Sequence, residues 1–138
     1  MTFFQGLFGF TGRIPRLPFF GYSLLVVSLA LVITMGGGAL IDVVGETLGG
    51  GTIVAGLVVT GWAGLALATK RLHDMGVEST HANWLYGLNL SGGLFGETAP
   101  VLAILSALVF VGLTLWLLLG AGQSHANQYG LVPGAVGG

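Results

Sequence analysis

Residues Phe19 to Ile41 read FFGYSLLVVSLALVITMGGGALI, a run without Asp, Glu, Lys, Arg or His. A helix rises about 1.5 Å per residue, so this run crosses a hydrocarbon core of about 30 Å with room for tilt. Lipid offers no partner to a backbone N–H or C=O. A spanning segment must therefore satisfy those groups within itself, as an α-helix does. The run is also longer than the apolar stretch of about 7–15 residues in a cleaved signal. It is read as a retained transmembrane helix, and it sets the fold class: all-α, embedded in a bilayer.

Similar runs follow. A second span is predicted over 52–69, ending at Lys70-Arg71, and a strong one over 100–120. Between them, 82–96 is short and carries Asn89, Ser91 and several glycines, so it is read as a short span or a re-entrant segment. The bundle is thus expected to hold four transmembrane helices, the third short or re-entrant. Residues 1–17 are aromatic, with Phe3, Phe4, Leu7, Phe8 and Phe10 forming a patch suited to the headgroup region. Asp42 to Gly51, with two acids and four glycines, reads as a polar loop. Residues 1–125 form one membrane domain. Residues 126–138 form a tail whose glycine-rich end is expected to be disordered.

Composition agrees. Hydrophobic residues make up 54% of the 138 and charged residues 7%, where a soluble domain carries about 25% charged. So few charges cannot clothe a water-soluble surface. Four Lys and Arg against five Asp and Glu leave a net charge of −1. Nucleic acid is not an expected partner, because no basic surplus exists to neutralise phosphates. With no cysteine, disulfides, thiolate metal sites and Cys nucleophiles are excluded.

The cations fall in two places, Arg13/Arg16 and Lys70/Arg71, separated by two spans, while Asp42 and Glu46 lie between those spans. The positive-inside rule puts the N-terminus and the 70–83 loop in the cytoplasm, and four spans return the tail there. Gly56, Thr60, Gly64 and Ala68 recur every fourth residue, a stripe of small side chains that admits a neighbouring backbone. Gly112 and Gly120 flank Trp116 in a weaker version. Packing within the bundle, a second copy or a partner helix would all use such stripes.

Three pieces of sequence now line up: Phe10-Thr11-Gly12-Arg13-Ile14-Pro15-Arg16, then Arg71-Leu72-His73-Asp74-Met75-Gly76, then Asn127-Gln128-Tyr129-Gly130 followed by Pro133. In this order they resemble the domain of unknown function 805 family, small bacterial inner-membrane proteins. The resemblance covers nearly the whole chain. Lys70 stands where that family usually has Arg, and Val77 to Trp84 replaces its S-G-W-W. The resemblance implies a membrane-embedded helical protein of the bacterial inner membrane and no reaction.

With four spans, Arg13, Arg16, Lys70, Arg71, His73, Asp74, Asn127 and Tyr129 collect at the cytoplasmic boundary. Asp74 is a candidate partner for Arg13, Arg16 or Arg71 through paired planar hydrogen bonds. Asn127 is placed to bond the open carbonyls of a helix end. His73 and Asp74 are neighbours on a helix and point about 100° apart, so they make a poor general-base pair. His73, His81 and His125 match no metal-ligand spacing. No catalytic, cofactor or metal site is expected. The expected role is an accessory subunit or assembly factor, bathed in membrane lipids and docked on another membrane protein or on itself. The alternative is a small oligomeric channel or transporter.

Overall fold

The computed structural model describes residues 2–95 and 97–134, and side chains other than those of 92–95. The last four residues of the tail, expected to be disordered, lie outside the described residues. The elements are α1 (Phe3–Phe8), α2 (Arg16–Val44), α3 (Glu46–Asp74), α4 (Thr80–Phe95) and α5 (Pro100–Leu119). α2, α3 and α5 are long and apolar enough to cross a membrane. Their outer faces carry large apolar side chains: Val32 of α2 is 67% exposed and Leu102 of α5 63%. Buried ionisable groups, in contrast, gather at one end: Arg13, Lys70, Arg71, His73 and Asp74. This inside-out distribution suits lipid and not water. The protein is an all-α helical bundle of the membrane.

The α2–α3 hairpin corrects the expected loop. No ten-residue connection exists at 42–51. Helix runs to Val44, breaks at Gly45, and resumes at Glu46. Gly45 has φ +91°, a conformation glycine adopts without the Cβ clash that penalises other residues. Glu46 in the first turn of α3 favours the start, since a carboxylate complements the positive helix end.

Below the turn the two helices interlock isoleucine into glycine. A Cβ on Gly37 would collide with Ile53, one on Gly49 with Ile41, and one on Gly56 with Ile33. The residue numbers of each pair sum to about twice 45, the register of an antiparallel hairpin pivoting on Gly45. Glycine is costly in a helix in water, but in a bilayer it brings two backbones close enough for dense van der Waals contact. Gly36, Gly37 and Gly38 therefore do not interrupt α2.

The stripe at 56–68 serves two neighbours rather than one. Gly56 receives Ile33 of α2, whereas Gly64 faces the Tyr86 hydroxyl of α4. Four-residue steps overshoot a 3.6-residue turn by about 40°, so the stripe winds from one helix to the other. Thr60, buried, returns its hydroxyl to the Gly56 carbonyl at 2.9 Å, and Ala68 lies in the core. On α5, Gly120 is met by Met75, while a Cβ on Gly112 would touch nothing within 4 Å.

α4 is 16 residues long, about 24 Å. It packs chiefly on α5. Because the C-terminal ends of α3 and α5 meet (Arg71 Nε donates to the Leu117 carbonyl at 2.7 Å), α4 carries the chain away from that end and α5 brings it back.

The N-terminal segment packs on the bundle. Thr2 and Gln5 form a reciprocal capping box that starts α1. Leu7 is buried, and Trp62 of α3 donates from Nε1 to the Phe8 carbonyl at 3.4 Å. α1 is folded against α3, with Phe3 and Phe4 left outward.

Candidate functional site

Four parts of the chain converge at one end: the segment around Arg13, the last turns of α3 and α5, and the tail. Asp74 is the centre. Its carboxylate accepts from Arg13 Nε at 3.1 Å and from Arg71 Nη1 at 2.5 Å. Both ion pairs are buried, with side-chain exposures of 1% for Arg13, 0% for Arg71 and 5% for Asp74. The three-residue spacing of Arg71 and Asp74 puts them on one face of α3, and the extended segment before α2 delivers Arg13.

The remaining guanidinium hydrogens go to backbone. Arg13 donates to the carbonyls of Gln123 (2.6 Å), His125 (2.8 Å), Gly130 (3.3 Å) and Asp74 (3.4 Å). Arg71 donates to those of Leu117, Ile14 and Gly120. Lys70 turns to another side of α3 and donates from Nζ to the Gln5 and Gly6 carbonyls. Arg16, exposed, donates to the Leu119 carbonyl at 3.3 Å and makes no pair with Asp74.

Several of these acceptors are helix-end carbonyls, Gln5 and Gly6 of α1, Asp74 of α3 and Leu117 and Leu119 of α5, whereas those of Ile14, Gln123, His125 and Gly130 lie in the segment before α2 and in the tail. The last four carbonyls of any helix lack an intrahelical partner and carry the negative end of its dipole. α1, α3 and α5 all end here. Three buried cations against one carboxylate would be a costly excess of positive charge. The converging carbonyl ends supply the missing negative potential, and the cations in turn cap the helices.

An outer layer seals the cluster. Asn127 Nδ2 donates to the His73 carbonyl (2.9 Å) and to Gln123 Oε1 (2.7 Å), and its Oδ1 accepts from the Tyr129 amide (2.9 Å). Asn127 and Gly130 exchange backbone hydrogen bonds, closing a turn. The Tyr129 ring lies flat on His73, centroids 3.8 Å apart at 8°. His73 Nδ1 meets the Gly12 carbonyl at 3.1 Å; a carbonyl only accepts, so Nδ1 carries the hydrogen. Gly12 has φ +90°, which turns that carbonyl toward the ring.

Of the residues singled out in the sequence, the structure brings Arg13, Arg71, Asp74, His73, Asn127 and Tyr129 into one cluster, with Lys70 and Arg16 on its flanks. Four contributors carried no signal. Gln123 supplies an amide to the Asp74 carbonyl at 2.7 Å as well as the acceptors above. Gly122 lies so close to Asp74 that a Cβ would overlap its carboxylate. Gln5 and Gly6 act only through backbone. His81 Nδ1 meets the Glu78 carbonyl at 3.1 Å. Among the described residues, no buried side-chain nitrogen or oxygen lacks a partner, and no three His, Asp or Glu gather at metal-binding range.

Fold and site together define a small integral membrane bundle clasped at one end by buried arginines. The chain belongs to the family described as protein of unknown function (DUF805), which matches residues 7–131. That span takes in every element of the clasp from Arg13 to Gly130. Neither a curated protein nor a solved structure matches the chain.

Proposed function

We propose that this chain is a non-catalytic component of the bacterial inner membrane, an accessory subunit or assembly factor that docks on another membrane protein or on a copy of itself. The observation that carries the reading is the pair of roles played by glycine. Gly37, Gly49 and Gly56 are filled by the chain's own isoleucines, whereas Gly21 and Gly38 of α2 and Gly112 of α5 face outward with nothing within 4 Å. On a lipid-facing surface a missing side chain lets a foreign helix approach closely. The clasp supports the same reading, since its donors are engaged by Asp74 and backbone. The cations gather at the clasp end and Asp42, Glu46 and Glu97 at the other, a distribution that favours a cytoplasmic clasp.

Bulky substitution tests this. Gly38→Leu and Gly112→Leu leave the melting temperature of the purified protein unchanged but lose the partner or the dimer that the parent retains in a gentle detergent. A parent protein that runs as a lone monomer with nothing bound contradicts the proposal. Solute flux through proteoliposomes of the pure protein favours the channel reading instead.

A further inference from the structure

Beside the clasp lies a half-open cleft of about 210 Å³ between α3, α4 and α5. Leu72, Leu85 and Leu117, all buried, form its floor. Trp84 and Trp116, 76% and 44% exposed, stand at its rim with His81. The lining is almost wholly apolar. An apolar void of about 150 Å³ is known to take up a benzene ring, so this cleft has room for a length of hydrocarbon chain. Its depth is set by the helix ends: Leu72 is two residues from the end of α3, Trp116 lies in the last turn of α5, and His81 in the first turn of α4. Two tryptophans at that level mark the boundary between headgroups and acyl chains.

Charge selects the occupant. Arg13, Lys70 and Arg71 are buried and answered by Asp74 and backbone carbonyls, which leaves Arg16 as the exposed cation of this end, held at the last residue of α5, within a turn of Trp116 and Leu117 of the cleft. Arg16, the exposed member, bonds Leu119 with Nη1 alone, although a guanidinium offers five N–H donors in a fork that suits phosphate.

We propose that this cleft binds one acyl chain of an anionic phospholipid, whose phosphate is met by the exposed Arg16 guanidinium at the clasp end. The site is independent of docking by a protein partner: it needs only the bilayer.

The test uses the cleft's own tryptophans. The chain has three, and Trp62 lies elsewhere, against Phe10; Trp62→Phe therefore leaves only the two rim residues. The full chain carrying that substitution is reconstituted in phosphatidylcholine vesicles. Phosphatidylglycerol or phosphatidylcholine brominated near the carbonyl end of one chain is then titrated in, and tryptophan quenching is read. The expected result is half-maximal quenching by the brominated anionic lipid at about fivefold lower mole fraction than by the zwitterionic one, the preference a single surface cation confers. Filling the cleft with Leu113→Phe removes the preference, and Arg16→Gln, at an exposed position, reduces it. Equal potency of the two lipids overturns the proposal. So does a preference unchanged in both variants, and so does quenching by neither lipid, which would mean that a second copy or another helix covers the cleft.

Discussion

Asp74 holds two guanidiniums at once, and neither has another carboxylate within reach among the described residues. Asp74→Asn keeps the shape but removes the charge. It should cost about 3–5 kcal/mol, the usual consequence of leaving one side of a buried pair uncompensated. Arg16→Gln should cost no more than about 1 kcal/mol, because it deletes one exposed hydrogen bond. Thermal unfolding in a mild detergent ranks the two, and equal losses would refute the assignment of Asp74 as the centre. Gly122→Ala should also destabilise, since the new methyl enters the space of the Asp74 carboxylate. The sequence made the charged members visible. A cation next to a span end must find anions or carbonyls, and Asp74 was the one acid near three arginines. It did not show which carbonyls would answer. Backbone acceptors leave no mark on residue identity, so Gln123, Gly122, Gln5 and Gly6 carry no signal in the sequence, and nothing in it shows that Lys70 turns to the carbonyls of α1.

At the scale of elements, the spans were legible because apolar length is dictated by the bilayer. Their ends were not. Asp42, Glu46 and four glycines imitate a loop, yet one residue, Gly45, makes the turn, and the others are helical. The glycines at 49–51 suit a loop by composition, yet they are helical, and Gly49 serves close contact with Ile41, as the 56–68 stripe does with its neighbours. Gly56 illustrates the difference. Gly56→Val pushes into Ile33 and should lower stability by about 1–3 kcal/mol, as overpacking does. The control is Gly112→Val on α5, where nothing stands within 4 Å. It should unfold at the parent temperature, and a matched loss at both positions would argue against the interlocked α2–α3 seam. The period-four stripe was seen in the sequence, but its winding from α2 to α4 follows from helix geometry and needs both neighbours in place to be recognised.

At the scale of the whole molecule, the first arginine and the Asn127–Gly130 turn of the tail are joined. Arg13 receives carbonyls from Gln123, His125 and Gly130. Ending the chain at Gly122 removes all three and leaves a buried guanidinium with acceptors only at Asp74. We expect the shortened protein to insert yet lose its cooperative unfolding transition, read by circular dichroism or protease resistance. An unaltered transition would show that the tail is an ornament. The clasp also sets the direction of the last two helices: the ends of α3 and α5 meet there, so α4 leads away from the clasp and α5 returns to it.

The most direct measurement of this account is the sidedness of the two ends. A protease-cleavable tag placed before Thr2 and another after Gly134 are followed in sealed right-side-out and inverted vesicles. The account predicts that both tags are cut in the same preparation and protected in the other. One tag cut in each preparation would contradict it, because Arg13 and the Asn127–Gly130 turn would then lie on opposite faces of the bilayer.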